Sequence, residues 1–152
     1  MFGYGMGVAS RSVKLADLRR WLSEAAGAPS DGDRWTWGGV GVILDPLDDA
    51  ANFELVSEML NQPPLADVWF HLDNKVDDEV FEAAQRHMLV TAVRLAVELD
   101  LEAVLAFQGE AVMMRRRRGT VLLYAEWTQW SDPAVIGRLG VPFVTTHERE
   151  VF

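Results

Sequence analysis

Three short apolar runs near the carboxyl-terminal end of the chain constrain its fold more than any other feature. They are rich in strand-forming residues and span Ala103–Phe107, Ala111–Arg115 and Thr120–Tyr124. Gln108-Gly109 separates the first two runs, and an arginine-rich turn ending at Gly119 separates the last two. Because parallel neighbours need a crossover of a dozen residues or more, these connections allow only antiparallel pairing. The sequence therefore predicts an antiparallel meander.

The rest of the chain alternates predicted strands and helices. Period-two patterns and short buried runs predict strands at 2–8, 40–44 and 66–72, and apolar residues at helical spacing predict helices at 15–25, 50–60, 77–99 and 133–140. We expect Ser12 to cap the first helix. The broad apolar stripe of the helix at 77–99 indicates packing across a sheet. The order β-α-β-α-β-α-β-β-β-α predicts an α+β fold with helices packed on a mostly antiparallel sheet, and residues 1–152 are expected to form a single domain.

Negative charge is concentrated in the middle of the chain. The formal net charge is −9, and residues 31–82 alone hold thirteen acids and two bases. Such a field repels nucleic acid and anionic membranes and speeds the capture of a basic partner. It also keeps a protein soluble, which is the plainer interpretation. We therefore expect neither nucleic acid nor a membrane as a partner.

The cellular location is predicted from what the composition lacks. There is no cysteine, so no disulfide or thiolate metal site can form, which favours a reducing cytoplasm. No basic, apolar leader opens the sequence, and no apolar stretch approaches about 18 residues. A cytoplasmic protein is the expectation.

The sequence carries no recognisable catalytic, metal or cofactor motif. Its three histidines are widely spaced and form no H-E-x-x-H pair, although His71 and Asp73 would share one face of a strand. Neither G-x-S-x-G nor a phosphate-binding loop occurs, and Gly3, Gly5 and Gly7 resemble a dinucleotide loop only loosely. We expect no enzyme, no cofactor and no metal site.

Several charged and aromatic groups admit both a structural and a binding interpretation. Four arginines at 115–118 indicate a solvated turn or intramolecular pairing more than an anion site. The acid pairs Asp48/Asp49 and Asp77/Asp78 stand where helices begin and are expected to cap them. Trp127 and Trp130 fit either lids on the core or ligand platforms.

A series of segments resembles one known family. The segment 68–75 (VWFHLDNK), the long helix after it and the segment 103–116 (AVLAFQGEAVMMRR) follow in an order similar to the immunity proteins of the myxobacterial swarming-inhibition polymorphic toxin system. The similar part covers roughly residues 40–143. The resemblance implies a cytoplasmic protein that binds and neutralises a cognate toxin made beside it, and so takes part in kin recognition and competition between bacteria.

The charge distribution suggests which residues would bind that partner. We expect an acidic surface to dock on a basic toxin, for example at a nuclease active site, with tryptophans as the desolvated anchors. The acids are Asp45, Asp48, Asp49, Asp73, Asp77 and Asp78, and the anchors are Trp35, Trp37 and Trp69. The alternative function is a small-molecule-binding or regulatory α+β domain that uses the sheet surface and tryptophans as a pocket.

Overall fold

The computed structural model describes residues 2–150. Eight strands are formed: β1 Phe2–Ala9, β2 Arg34–Trp37, β3 Val40–Asp45, β4 Ala66–Leu72, β5 Glu102–Phe107, β6 Ala111–Arg117, β7 Thr120–Tyr124 and β8 Val144–Thr146. Four helices accompany them: α1 Leu15–Ala26, α2 Ala50–Leu60, α3 Asp78–Glu98 and α4 Pro133–Leu139, the last preceded by a 3₁₀ turn at Thr128–Ser131. The predicted α+β class is confirmed.

All eight strands join one sheet in the order β2-β3-β4-β1-β5-β6-β7-β8. Every neighbouring pair is antiparallel except β7 and β8, which are parallel. The amino-terminal strand lies near the centre, where Gly5 of β1 pairs with Trp69 of β4 on one side and Ala106 of β5 on the other. The predicted meander is confirmed as β5-β6-β7.

Three hairpins close through turns with two successive left-handed residues; the β5–β6 connection has three residues, 108–110, and the other two connections have two residues each. Both central residues have positive φ at Gln108-Gly109 (50° and 73°) and at Arg118-Gly119 (52° and 80°). This left-handed pair matches the twist of the flanking strands, and glycine adopts the second position without strain. Gly38-Gly39 turns β2 into β3 in the same way.

The two faces of the sheet are covered unequally. Helices α1, α3 and α4 pack on the first face, where Met6, Phe70 and Leu105 are fully buried in the larger core cluster. Only α2 packs on the second face, through Val56, Met59 and Leu60. Because strand residues alternate between faces, β1 presents its large side chains to the three helices and its glycines to the second face. Gly7 lies against Val56 of α2, whereas Gly3 and Gly5 lie against Trp69 of β4.

Two strands and one cap differ from the expectations. β2 and β8 lie in segments for which no strand or helix was predicted. Ser12 does not cap α1: the N-cap is Lys14, whose backbone N–H donates to Asp17 Oδ2 at 2.9 Å. The Ser10 hydroxyl oxygen instead accepts hydrogen bonds from the N–H groups of Ser12 and Val13.

Candidate functional site

Part of the second face carries partly exposed side chains and no helix. Cross-strand register places five of them together on β2, β3 and β4, and we call this set the open patch: Arg34, Thr36, Ile43, Trp69 and His71. Helix α2 contacts β1 and β5 instead. The sheet therefore offers a mixed polar and aromatic surface beside α2.

Trp69 lies across the glycine side of β1. A Cβ atom built on Gly5 would lie 3.3 Å from Cη2 of the indole, and one on Gly3 would lie 3.8 Å from Cζ3. The His71 ring stacks beside Trp69, with the ring centroids 6.3 Å apart and the planes 22° from parallel. Burial, with a smaller effect from Arg34, lowers the pKa of His71. The alternating glycines thus make the space that the indole fills.

The six acids expected to form one docking surface occupy two separate ends of the sheet. Asp45 pairs across the ladder with Asp67, whereas Asp73 follows Leu72 at the opposite end of β4. At about 3.3 Å per residue, the two ends of β4 lie about 20 Å apart. The acids are therefore split into one group, Asp45, Asp48 and Asp49, and another, Asp73, Asp77 and Asp78.

The two groups also differ in their local hydrogen bonds. Asp49 caps α2, with its Oδ1 accepting from the N–H of Asn52 at 3.0 Å, as expected of a helix start. Asp45 accepts from the N–H of Leu47 at 2.8 Å, and Asp73 from the N–H of Lys75 at 2.9 Å. Asp77 is the N-cap residue of α3 but makes no side-chain capping bond. The carboxylates of Asp77 and of exposed Asp48 therefore accept no capping hydrogen bond from a backbone N–H at the start of a helix.

Asp67 is a functional candidate that the sequence reasoning missed. Its side chain is 6% exposed and lies directly across from Asp45 on the second face. Burial first, and the Asp45 carboxylate second, raise the pKa of Asp67 to about 7, while a hydrogen bond with the Trp69 side chain lowers it. The sequence shows only an acid inside a predicted strand, and the register of the sheet places it opposite Gly7. No cue along the chain shows that this position is covered.

The three tryptophans proposed as anchors do not share a surface. Trp35 is 2% exposed, belongs to the larger core and donates from Nε1 to the Ser23 hydroxyl at 3.2 Å, so it lies too deep to contact a partner. Trp37 faces the same side of the sheet as Trp35. Of these three tryptophans, Trp69 is the one that lies on the open patch. Alternation along β2 explains the difference, because both of its tryptophans point toward the helices.

Trp37 instead helps to form a cleft on the first face. The cleft encloses about 330 Å³ between α1, β2 and α3. The Trp37 ring meets His87 edge-on at a centroid distance of 4.3 Å and Trp21 at 6.4 Å. His87 Nε2 has no hydrogen-bond partner among the described residues, and burial, followed by the Arg138 charge, lowers the pKa of His87. His87 thus places an imidazole nitrogen without a partner among the described residues in an aromatic cleft.

The arginine run is used for intramolecular pairing, which was one of its two expected roles. Arg115 pairs with Glu150 and donates from Nη1 to the Met59 carbonyl at 2.8 Å. Arg116 points to the other face, pairs with Asp100 at 2.9 Å and donates to the Leu101 carbonyl. These contacts bind the carboxyl-terminal tail and the α3–β5 junction to β6.

Trp127 and Trp130 lie over the edge of the cores. Trp130 is 4% exposed and donates from Nε1 to the Met113 carbonyl at 2.9 Å. Trp127 donates to the Val112 carbonyl at 3.0 Å and packs edge-on against Phe107. Their indole N–H groups are satisfied by the backbone of β6, which favours the structural interpretation of both residues.

Within residues 2–150, no cluster of three histidine, aspartate or glutamate side chains could hold a metal ion. Across the same residues, no helix combines the length and apolar character that a bilayer-spanning segment requires.

Comparison with known proteins identifies one family. No curated protein and no solved structure matches the chain. The profile of the SitI3-like family matches residues 10–134, which cover α1 through the start of α4 and leave out β1 and β8. The matched region includes Asp67, Trp69 and all six acids considered above. With most of its length matched, this chain belongs to the SitI3-like family.

Proposed function

We propose that this protein is an immunity protein that binds a cognate polymorphic toxin in the cytoplasm and neutralises it by occlusion, without catalysis. The observation that carries the proposal is the family match over residues 10–134. The resemblance of the segments 68–75 and 103–116 to immunity proteins of the swarming-inhibition system supports it. Direct binding of this kind needs a complementary surface, and no catalytic constellation.

The open patch and its acidic flanks support this role. One acidic group lies at each end of β3 and β4, and Trp69 lies between them. Charges at the rim of an interface mainly raise the association rate and select the partner, whereas a partly buried aromatic at its centre contributes affinity. A toxin that acts on nucleic acid has a basic substrate surface, so a nuclease domain is the partner class that fits best.

The test is co-expression of this chain with the toxin gene encoded beside it. We expect the wild-type chain to rescue growth and to co-purify with the toxin. Because electrostatic attraction contributes to association, Asp48→Lys combined with Asp78→Lys, at one exposed position in each acidic group, should weaken both effects.

The matched control reverses two exposed acids elsewhere, with Glu24→Lys on α1 and Glu148→Lys in the tail. This variant has the same net charge as the test variant, so retained binding would assign the effect to position and not to overall charge. Equal rescue by both variants would contradict docking through the acidic groups, and a wild-type chain that neither rescues nor co-purifies would contradict the immunity role.

The cleft beside His87 favours a second candidate function, small-molecule binding. Its aromatic walls and the unpartnered His87 Nε2 are suited to a planar ligand that accepts or donates one hydrogen bond. Thermal-shift screening of a metabolite panel against wild type and Trp37→Ala would test it. A ligand that stabilises only the wild type would support this candidate.

A further inference from the structure

A groove borders the open patch, between α2 and the amino-terminal strand. It encloses about 360 Å³, with Gly5 and Gly7 of β1 as its floor and Leu55 and Met59 of α2 on one side. Trp69 forms another wall. A Cβ atom on Gly7 would lie 2.6 Å from Cγ1 of Val56, so α2 packs directly against the backbone of β1. The missing side chains on β1 give the groove its depth.

Asp67 lines this groove as a buried acid without a cation. Asp67 is 6% exposed and shares a hydrogen bond with the Trp69 side chain, but within residues 2–150 it forms no ion pair. The carboxylate opposite it, Asp45, is of the same sign. Arg115 reaches the groove wall at the Met59 carbonyl but is paired with Glu150. A buried carboxylate is normally paired with a cation, and among the described residues of the free protein Asp67 has no such partner.

We propose that the groove receives an arginine or lysine side chain of the toxin, whose cationic head pairs with Asp67. This inference rests on the proposed immunity function and adds the chemistry of the contact. The aliphatic stem of such a residue packs on apolar walls such as Leu55 and Met59. The cationic head forms an ion pair with the carboxylate of Asp67, and the Trp69 indole adds a cation–π attraction. Glu110 at the edge of the groove contributes a further negative charge.

The same carboxylate has opposite effects on the free and bound protein. In the free protein, an ionised Asp67 is desolvated and repelled by Asp45, which disfavours the folded state. In the complex, the partner's cation compensates both effects. Neutralising Asp67 should therefore stabilise the free protein and weaken the complex, a combination that loss of folding cannot produce.

The experiment measures the affinity of the full chain for the toxin by isothermal titration calorimetry. Asp67→Asn keeps the shape of the side chain and removes its charge. Because truncating one partner of a buried charge pair costs a large part of the binding energy, we expect affinity to fall by about 30-fold or more. The matched control, Asp31→Asn, removes an exposed charge outside the two acidic groups and should change affinity by less than about threefold.

Two further measurements keep the test independent of folding. Leu55→Arg places an intramolecular cation at the groove from an exposed position, 48% accessible, and should block the toxin to a similar extent. In the wild-type complex, carbon-13 titration of the Asp67 carboxyl should show its pKa falling from about 7. A neighbouring cation typically lowers a carboxyl pKa by about 1 to 3 pH units.

The outcomes separate this inference from the proposed function. If wild type and Asp67→Asn bind the toxin equally, the groove assignment is wrong and the immunity function stands. If Asp67→Asn and Asp31→Asn lose affinity equally, general negative charge explains binding and the specific pocket is wrong. If the wild-type chain does not bind the toxin, both the immunity function and this inference fail.

Discussion

The two faces of the sheet show a division between packing and recognition. On the first face, α1, α3 and α4 bury a continuous layer in which Met6, Phe70 and Leu105 are inaccessible. On the second face, α2 buries a smaller cluster and leaves Trp69 and His71 partly exposed beside the buried acid Asp67. The comparison indicates that stability comes mainly from the first face, while the second carries the groups that we propose contact a partner.

The strongest test of this division uses Phe70, which points to the first face next to Trp69 in β4. Phe70→Ala should lower the free energy of unfolding by about 3–5 kcal/mol, because it removes a fully buried ring and leaves a cavity. Urea denaturation followed by tryptophan fluorescence measures this. A loss below about 1 kcal/mol would mean that the first face is not the main source of stability.

Asp67→Asn tests the second face through the pH dependence of stability. The folded pKa of Asp67 is about 7, above its unfolded value near 3.8, so the folded state binds this proton more tightly. The contribution of Asp67 to folding stability is therefore greatest below pH 4 and decreases as the pH rises toward 7. At pH 8 the variant should be more stable than wild type by roughly 2–4 kcal/mol. The upper figure is the free energy that corresponds to the whole difference between the folded and unfolded pKa values.

The comparison is made by denaturation at pH 4 and at pH 8. Near pH 4 the two proteins should have similar stability, since the wild-type carboxyl is then protonated in the folded state. A stabilisation that is the same at both pH values would assign the effect to packing and not to charge.

Glu150 tests whether polar contacts hold the carboxyl-terminal part of the second face. Its carboxylate pairs with Arg115 and accepts from the Tyr124 hydroxyl at 2.5 Å, and this environment raises the pKa of Tyr124 to about 12, with burial the largest cause. Because Arg115 is 9% exposed, Glu150→Ala removes the paired carboxylate from a nearly buried cation.

We expect Glu150→Ala to cost about 2 kcal/mol by urea denaturation, less than a fully buried pair because the Glu150 side chain is 31% exposed. The neighbouring exposed acid provides the control, and Glu148→Ala should change stability by less than about 0.5 kcal/mol. Equal effects of the two substitutions would show that the pair with Arg115 contributes little.

The smallest effect is expected at Leu55, whose side chain is half exposed on α2. Leu55→Ala should change the free energy of unfolding by no more than about 0.5 kcal/mol, because little apolar area is lost and alanine favours helix. Its affinity for the toxin should nevertheless fall, since Leu55 lines the groove. A stability loss as large as that of Phe70→Ala would remove the distinction between the two faces.

Local patterns predicted most elements, and contacts between distant segments explain the rest. The bounds expected for α2 and β4 match the structure, because periodic apolar residues and Pro63-Pro64 mark them clearly. β2 was missed because it is four residues long and includes the polar residues Arg34 and Thr36. β8 was missed because three residues against β7 leave almost no pattern.

The candidate site was less predictable than the fold. The charge excess of residues 31–82 was visible, but its division into two groups depends on the pairing of β3 with β4. Burial of Trp35 depends on which face of β2 points to the helices, and the state of Asp67 depends on Asp45, Gly7 and α2. Such neighbours are far apart along the chain, and only the folded register brings them together.

The central place of β1 has a consequence for how the chain is made. Its partners, β4 and β5, begin about sixty and one hundred residues later, so β1 has neither of its neighbours in the sheet until they are synthesised. Nascent chains grow by about 5–20 residues per second, which leaves this segment unpaired for several seconds. Glycine at every second position disfavours intermolecular strand pairing in that interval. The feature that seats the Trp69 indole in the native state therefore also limits aggregation during translation.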